Sequence, residues 1–200
     1  MLLLVTMGAM LMLGAGVALA ATVSCEGDGA RCDGTDSSDN ITGTDERDEI
    51  FAEAGDDTVE ARGGNDEVRG GEGDDTLSGE EGADNISGNL GDDRIAGGPG
   101  DDTISGDAGN DQIRGDEGDD TIEGEQGDDV IRGGGGDDTI NDNIAGDDTD
   151  VVSGGAGNDT INVADGDAND TVTCGKGRDR VTADRGDRVD RDSCERINRV

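Results

Sequence analysis

Large aliphatic side chains recur along this chain at a fixed interval of nine, from Ile41 through Ile50, Val59, Val68 and Leu77 to Ile140. Two positions before each stands an aspartate, from Asp39 at the same interval to Asp138. Residues 34–141 are thus one nine-residue unit written twelve times without a break. Counted from its first residue, Asp is sixth and the aliphatic residue eighth. A fixed period of this kind outranks local propensity. Positions one to six are rich in Gly, Asp and Asn, which suits turns. Positions seven to nine, often Thr-Ile-Ser, predict a three-residue strand whose alternation points position eight inward and seven and nine outward. Thr58, Thr76, Thr103, Thr121, Thr139 and Thr160 then lie on an exposed strand face. Two strand–turn units make a coil of eighteen residues, with two strands facing each other. Coils stacked at about 4.8 Å give roughly eight turns and a parallel roll about 40 Å long.

Five further units continue the pattern with insertions or deletions. Their sixth positions are Asp150, Asp159, Asp170, Asp179 and Asp187, and their eighth are Val152, Ile161, Val172, Val181 and Val189. Residues 142–153 are three too many for one unit, and residues 163–173 two too many. Such insertions are expected to bulge from a turn. The first two units are degenerate, with Ser38 and Arg47 at position five and no Gly at position four. They read as capping turns with few or no ions.

Charge changes the picture. The chain has 51 acidic and 15 basic residues, a net charge of −36, no His, Trp or Tyr and one Phe. High charge with so little hydrophobicity ordinarily means disorder. With one core residue per nine and abundant Gly, an ordinary core is not available. Bound divalent cations would both neutralise the acid and add binding energy. The same acidity argues against nucleic acid, since little here could neutralise phosphates.

The units starting at Gly70, Gly97, Gly133 and Gly154 read Gly-Gly-x-Gly-x-Asp-x-aliphatic-x in full. Those at Gly79, Gly88, Gly106, Gly115 and Gly124 lack only the second Gly. This motif resembles the RTX, or haemolysin-type, calcium-binding repeat, a match to a known signature over about three quarters of the chain. The resemblance implies an all-β, right-handed parallel β-roll that binds several Ca2+ ions. In that family a turn and the next turn on the same edge share one ion, so Asp75 would pair with Asp93 and Asp102 with Asp120. The implied metal ligands are Asp57, Asp66, Asp75, Asp84, Asp93, Asp102, Asp111, Asp120, Asp129, Asp138 and Asp159. Calcium accepts six to eight oxygens flexibly, whereas magnesium keeps its waters and wants a strict octahedron. Sites touching the two inserted turns are expected to be the weakest. The acidic side chains common at position five, such as Asp74 and Asp101, are expected to face solvent or support the turn.

The ends differ from the array. Residues 1–20 are uncharged and apolar and end in Ala18-Leu19-Ala20, which reads as a secretory signal peptide. No Lys or Arg precedes the apolar run, and an uncleaved anchor is the alternative. Four cysteines in an exported chain suggest two disulfides. Of three pairings, Cys25–Cys32 and Cys174–Cys194 are favoured, because each closes a short loop at one end. A four-cysteine zinc site is disfavoured, because the spacing lacks Cys-x-x-Cys and no His assists. Residues 21–33 then form an N-terminal disulfide cap and residues 34–173 the calcium-binding roll. Residues 174–200 form degenerate repeats and a basic, disulfide-tied C-terminal cap, with eight basic and six acidic residues. There Arg178 and Arg180 are expected to neutralise carboxylates where no further coil exists.

These readings predict a secreted, extracellular protein that folds on binding Ca2+ and serves a structural, surface or adhesive role. The alternative is a calcium-dependent accessory module for another extracellular protein or polysaccharide. No nucleic acid partner is expected, and no membrane association after signal cleavage. An enzyme is disfavoured: the array leaves little room for a catalytic domain, and the periodic Asp residues are explained by metal. An ice-binding face is disfavoured too, since position three varies from Glu72 to Leu90 to Pro99.

Overall fold

The computed structural model describes residues 20–27, 29, 31–142, 148–166 and 169–200. All but the last residue of the apolar segment read as a signal peptide lies outside the described residues. Among those described, the chain forms twenty strands in two parallel ten-stranded sheets, filled alternately by successive strands. One sheet begins with Thr22–Ser24 and Asn40–Thr42, and the other with Arg31–Thr35 and Glu49–Ala54. Along the uninterrupted array each strand pairs with the one eighteen residues on: Ile86 sits beside Ile104, and Ile104 beside Ile122. The chain is therefore a parallel β-solenoid of about nine turns.

The reason is in the repeat. Position eight points inward in every coil, giving one column from Ile41 to Val172 and a facing column from Ile50 to Val181, all 2% exposed or less. Each such side chain touches its neighbours above, below and across. A thin core thus becomes continuous only by stacking. Full burial of one Ile or Val contributes about 1.5–3 kcal/mol. Cys25, Cys32, Cys174 and Cys194 are buried at the two ends of this column, joined as Cys25–Cys32 and Cys174–Cys194.

Strand length departs from expectation. Thr76–Ser78 and Thr139–Asn141 span positions seven to nine, as the pattern predicts. Thr103–Ala108, Gln112–Glu117 and Thr121–Gln126 instead run on through position three of the next unit. The chain bends at position two, where Asp107, Asp116 and Glu125 take positive φ of 70°, 78° and 76°. Because these stacked coils bend at the same place, Asp107 still pairs with Glu125 and Ala108 with Gln126. The ladder therefore survives the corner, and only positions four to six are left as turn.

The insertions stay out of the ladders. Ile131 pairs with Val152 and Ile140 with Ile161, a step of twenty-one, whereas Val152 pairs with Val172 and Ile161 with Val181, a step of twenty. Register is held because slipping it would turn the core residues outward. Among the described residues no helix is long and apolar enough to cross a membrane.

Candidate metal centre: two ladders of buried aspartates

Position six lies at the mouth of each strand, where the turn re-enters the sheet. Its backbone is held on both sides: the Arg94 amide donates to the Asp75 carbonyl at 2.8 Å, and the Asp75 amide donates to Asp93 Oδ1 at 2.7 Å. Repetition makes two continuous ladders, one on each edge of the roll. The first runs Asp39, Asp57, Asp75, Asp93, Asp111, Asp129, Asp150 and Asp170, each amide donating to the next Oδ1 at 2.6–3.0 Å. The second runs Asp48, Asp66, Asp84, Asp102, Asp120, Asp138, Asp159 and Asp179 at 2.7–3.1 Å. Asp75 is thus stacked on Asp93, and Asp102 on Asp120.

These carboxylates are 0–3% exposed, and one oxygen of each explains the position of the other. In Asp57, Asp66, Asp75, Asp84, Asp93, Asp102, Asp111, Asp120, Asp129, Asp138 and Asp159, Oδ1 accepts the amide while Oδ2 is buried with no hydrogen-bond partner. Buried polar atoms are normally satisfied, so a row of orphans at fixed spacing demands a cause. Asp170 and Asp179 carry the same orphan. Their place in the period marked them, although they stand beside an insertion and beside Arg178.

The surroundings of the orphans are oxygen-rich. A Cβ on Gly70, at position one, would overlap both Asp75 Oδ2 and the carbonyl oxygen of Gly88 in the next coil. The same pair recurs at Gly133, with Asp138 Oδ2 and the Gly154 carbonyl. Glycine at position one thus leaves the space that lets carboxylate and carbonyl face each other. At position four, Gly82 (φ +142°) lies so close to the Gly64 carbonyl that no side chain fits. Uncharged carbonyls and ionised carboxylates are the donor set of a hard cation, and this set fits calcium.

Burial is also felt as electrostatics. It pushes Asp111 up to about 8 and Asp75, Asp102, Asp138 and Asp170 to about 7. Asp66, Asp93, Asp129 and Asp159 rise to about 6 for the same reason. The amide from the preceding coil opposes the shift, while neighbouring carboxylates such as Asp129 and Asp93 around Asp111 add to it. The metal-free ladder therefore favours protons, and a cation would replace them.

The ends are built differently. Asp39 Oδ2 accepts the Thr35 amide at 2.6 Å, and Asp48 Oδ2 accepts the Thr44 amide at 2.6 Å and its hydroxyl at 3.0 Å. Asp187 Oδ2 accepts the Asp184 amide at 2.6 Å. The second ladder ends where the Asp179 amide donates to Glu195 Oε2 at 2.8 Å, so a glutamate takes the place of the next aspartate. Arg178 and Arg180, expected to neutralise carboxylates here, are exposed. The closing cation is Arg199, whose guanidinium donates to the Asp184 and Asp187 carbonyls.

One departure lies at the first insertion. Asp142 occupies position one, the inward site held elsewhere by Gly or by Ala52, Ala61, Val163, Cys174 and Ala183. Burial, then Asp150, Asp129 and Asp170, push its carboxyl well above the usual range.

The model described as the RTX calcium-binding nonapeptide repeat matches residues 33–68, 62–95, 69–104, 87–122, 114–141, 144–167 and 162–189. A search of curated proteins finds no match.

Proposed function

Because the chain belongs to the RTX calcium-binding nonapeptide-repeat family, whose repeats bind Ca2+, we propose that it is a secreted structural protein that folds as calcium fills its turns. The observation that carries this reading is the row of buried, unpartnered Oδ2 atoms along both edges. Asp57, Asp66, Asp75, Asp84, Asp93, Asp102, Asp111, Asp120, Asp129, Asp138 and Asp159 would hold the ions, joined by Asp170 and Asp179. Each ion would supply the positive charge that stacked carboxylates lack, bridging one coil to the next. Their hydrogen bonds fix the direction of each carboxylate, and the turn glycines bring carbonyl oxygens within reach.

Folding coupled to many stacked sites is cooperative in the ligand. Individual sites of extracellular calcium modules are weak, with Kd about 10⁻⁴–10⁻³ M, matched to extracellular calcium. The two buried disulfides support an oxidising compartment. The periodic aspartates are accounted for by the ladders, so the role is that of a stiff, calcium-hardened rod on or outside the cell surface.

Far-ultraviolet circular dichroism of the metal-free chain, titrated with calcium and separately with magnesium, tests this. A steep gain of β signal with calcium and little with magnesium is expected. A chain that stays unfolded in millimolar calcium, or folds equally without metal, would overturn the reading.

A further inference from the structure

We propose that Asp129, Asp142 and Asp150 form a three-carboxylate calcium site at the first insertion, a ladder site that carries one added charge and binds more tightly than the others. This rests on the reading that the aspartate ladders hold calcium. One carboxylate oxygen from each of the three lies within 4.8 Å of the others, and all three residues are buried. Asp142 is 2% exposed, and its Oδ2 has no hydrogen-bond partner; the same is true of Asp129 Oδ2.

Beside Gly133 the Asp138 carboxylate faces the Gly154 carbonyl, and beside Gly106 the Asp111 carboxylate faces the Gly124 carbonyl. Beside Gly124 the corresponding space is filled by a side chain: Asp142 Oδ1 and Asp129 Oδ2 lie 2.5 and 2.6 Å from the point a Cβ would occupy. A second carboxylate has been brought in beside the first. The backbone at this point remains in the roll, since the Asp142 amide donates to the Asn162 carbonyl at 2.8 Å. The register step of twenty-one, from Ile131 to Val152, brings Asp150 in above Asp129. Calcium affinity in oxygen sites rises with the number of charged ligands. Three carboxylates converging in the interior without a cation would repel strongly. The inserted turn, expected to weaken the sites it touches, would by this reading strengthen one of them through an added charge.

The test is calcium binding to the full chain by calorimetry in the presence of a competing chelator, with stoichiometry by equilibrium dialysis. The wild type is expected to show one ion bound on the order of tenfold more tightly than the rest. Asp142→Gly restores the residue that the repeat prefers and should lose that one step while still folding in calcium. Asp142→Asn keeps the side-chain volume and should lose it too. If both variants keep the tight step, or the wild type has none, the three-carboxylate site falls while the repeat sites stand. If the wild type binds no calcium at all, the reading of the ladders falls and this site with it.

Discussion

In the middle of the roll, Asp111 accepts the Asp93 amide on one oxygen and has the second buried without a partner; at the start, Asp39 accepts amides on both. The two aspartates hold the same position in the same repeat. The difference is made by position two. In the end coil Thr35 turns its amide onto the carboxylate. In the interior, Asp107 and its equivalents bend the chain at positive φ and carry the ladder round the corner. The ends are closed in part by the chain's own donors, by Glu195 and Arg199 and by two disulfides, although Asp48 Oδ1 and Asp187 Oδ1 are also buried without a partner. In the interior, each ladder holds buried carboxylate oxygens that no donor of the chain satisfies. A solenoid needs both kinds of coil, because a terminal unit has no neighbour with which to share an ion.

Chelation breaks the comparison most severely. Removing calcium should unfold the interior coils together, seen as loss of the β signal in circular dichroism. The loops closed by Cys25–Cys32 and Cys174–Cys194 stay linked. Hydrogen exchange that showed the interior protected without metal would contradict the division between the two regions.

Acid should partly substitute for calcium. Asp66, Asp75, Asp93, Asp102, Asp111, Asp129, Asp138, Asp159 and Asp170 sit at about 6 to about 8 in the folded, metal-free chain against an ordinary value of 3.8, and burial raises Asp57, Asp84 and Asp120 in the same direction. Folded-state values above unfolded ones mean that protonation favours the fold. Their contribution is fully present below pH about 4 and is lost as pH rises through 6–8. A metal-free chain titrated from pH 4 to 8 should lose β structure over that window, and excess calcium should abolish the loss. A fold that instead strengthens with pH in chelator would show that the interior carboxylates are stabilised as anions without metal.

The disulfides sharpen the account of the ends. Cys174–Cys194 closes a separation of 20 residues, and removing it by double substitution to Ser should cost about 3 kcal/mol. Cys25–Cys32 closes only 7 and should cost less. Thermal unfolding in saturating calcium measures both, and fraying should begin at the C-terminal end.

The smallest effects have opposite signs. Asp111→Asn keeps an acceptor for the Asp93 amide but removes a buried charge. It should stabilise the metal-free chain while raising the calcium concentration needed for folding. Asp39→Asn should instead cost about 1 kcal/mol with or without calcium, because an amide group cannot accept two backbone N–H groups as a carboxylate does. Chemical denaturation of both variants, with calcium and with chelator, separates the two behaviours. Equal responses would erase the distinction between interior and end.

Much of this was legible in the sequence. Ile104 and Ile122 are eighteen apart and stack, and Asp75 and Asp93 are eighteen apart and hydrogen-bond, because a fixed period leaves one way to keep every aliphatic residue inside. The cysteine pairing followed from loop length. The longer strands were not legible, because Gly-Asp-Ala at 106–108 reads as turn chemistry and is held in the ladder only by identical bends above and below.

The sequence alone determined the period, the inward column and the stacking partners, which follow from the spacing of residue types, and the need for a cation, which follows from a net charge of −36 over so thin a core. Tertiary structure decided which carboxylate oxygens are satisfied and which are bare. That depends on where the position-two amide points, and the same Asp reads identically in either case. It also decided that Asp142 meets Asp129 and Asp150, because only the register across an insertion says which residues a solenoid brings level.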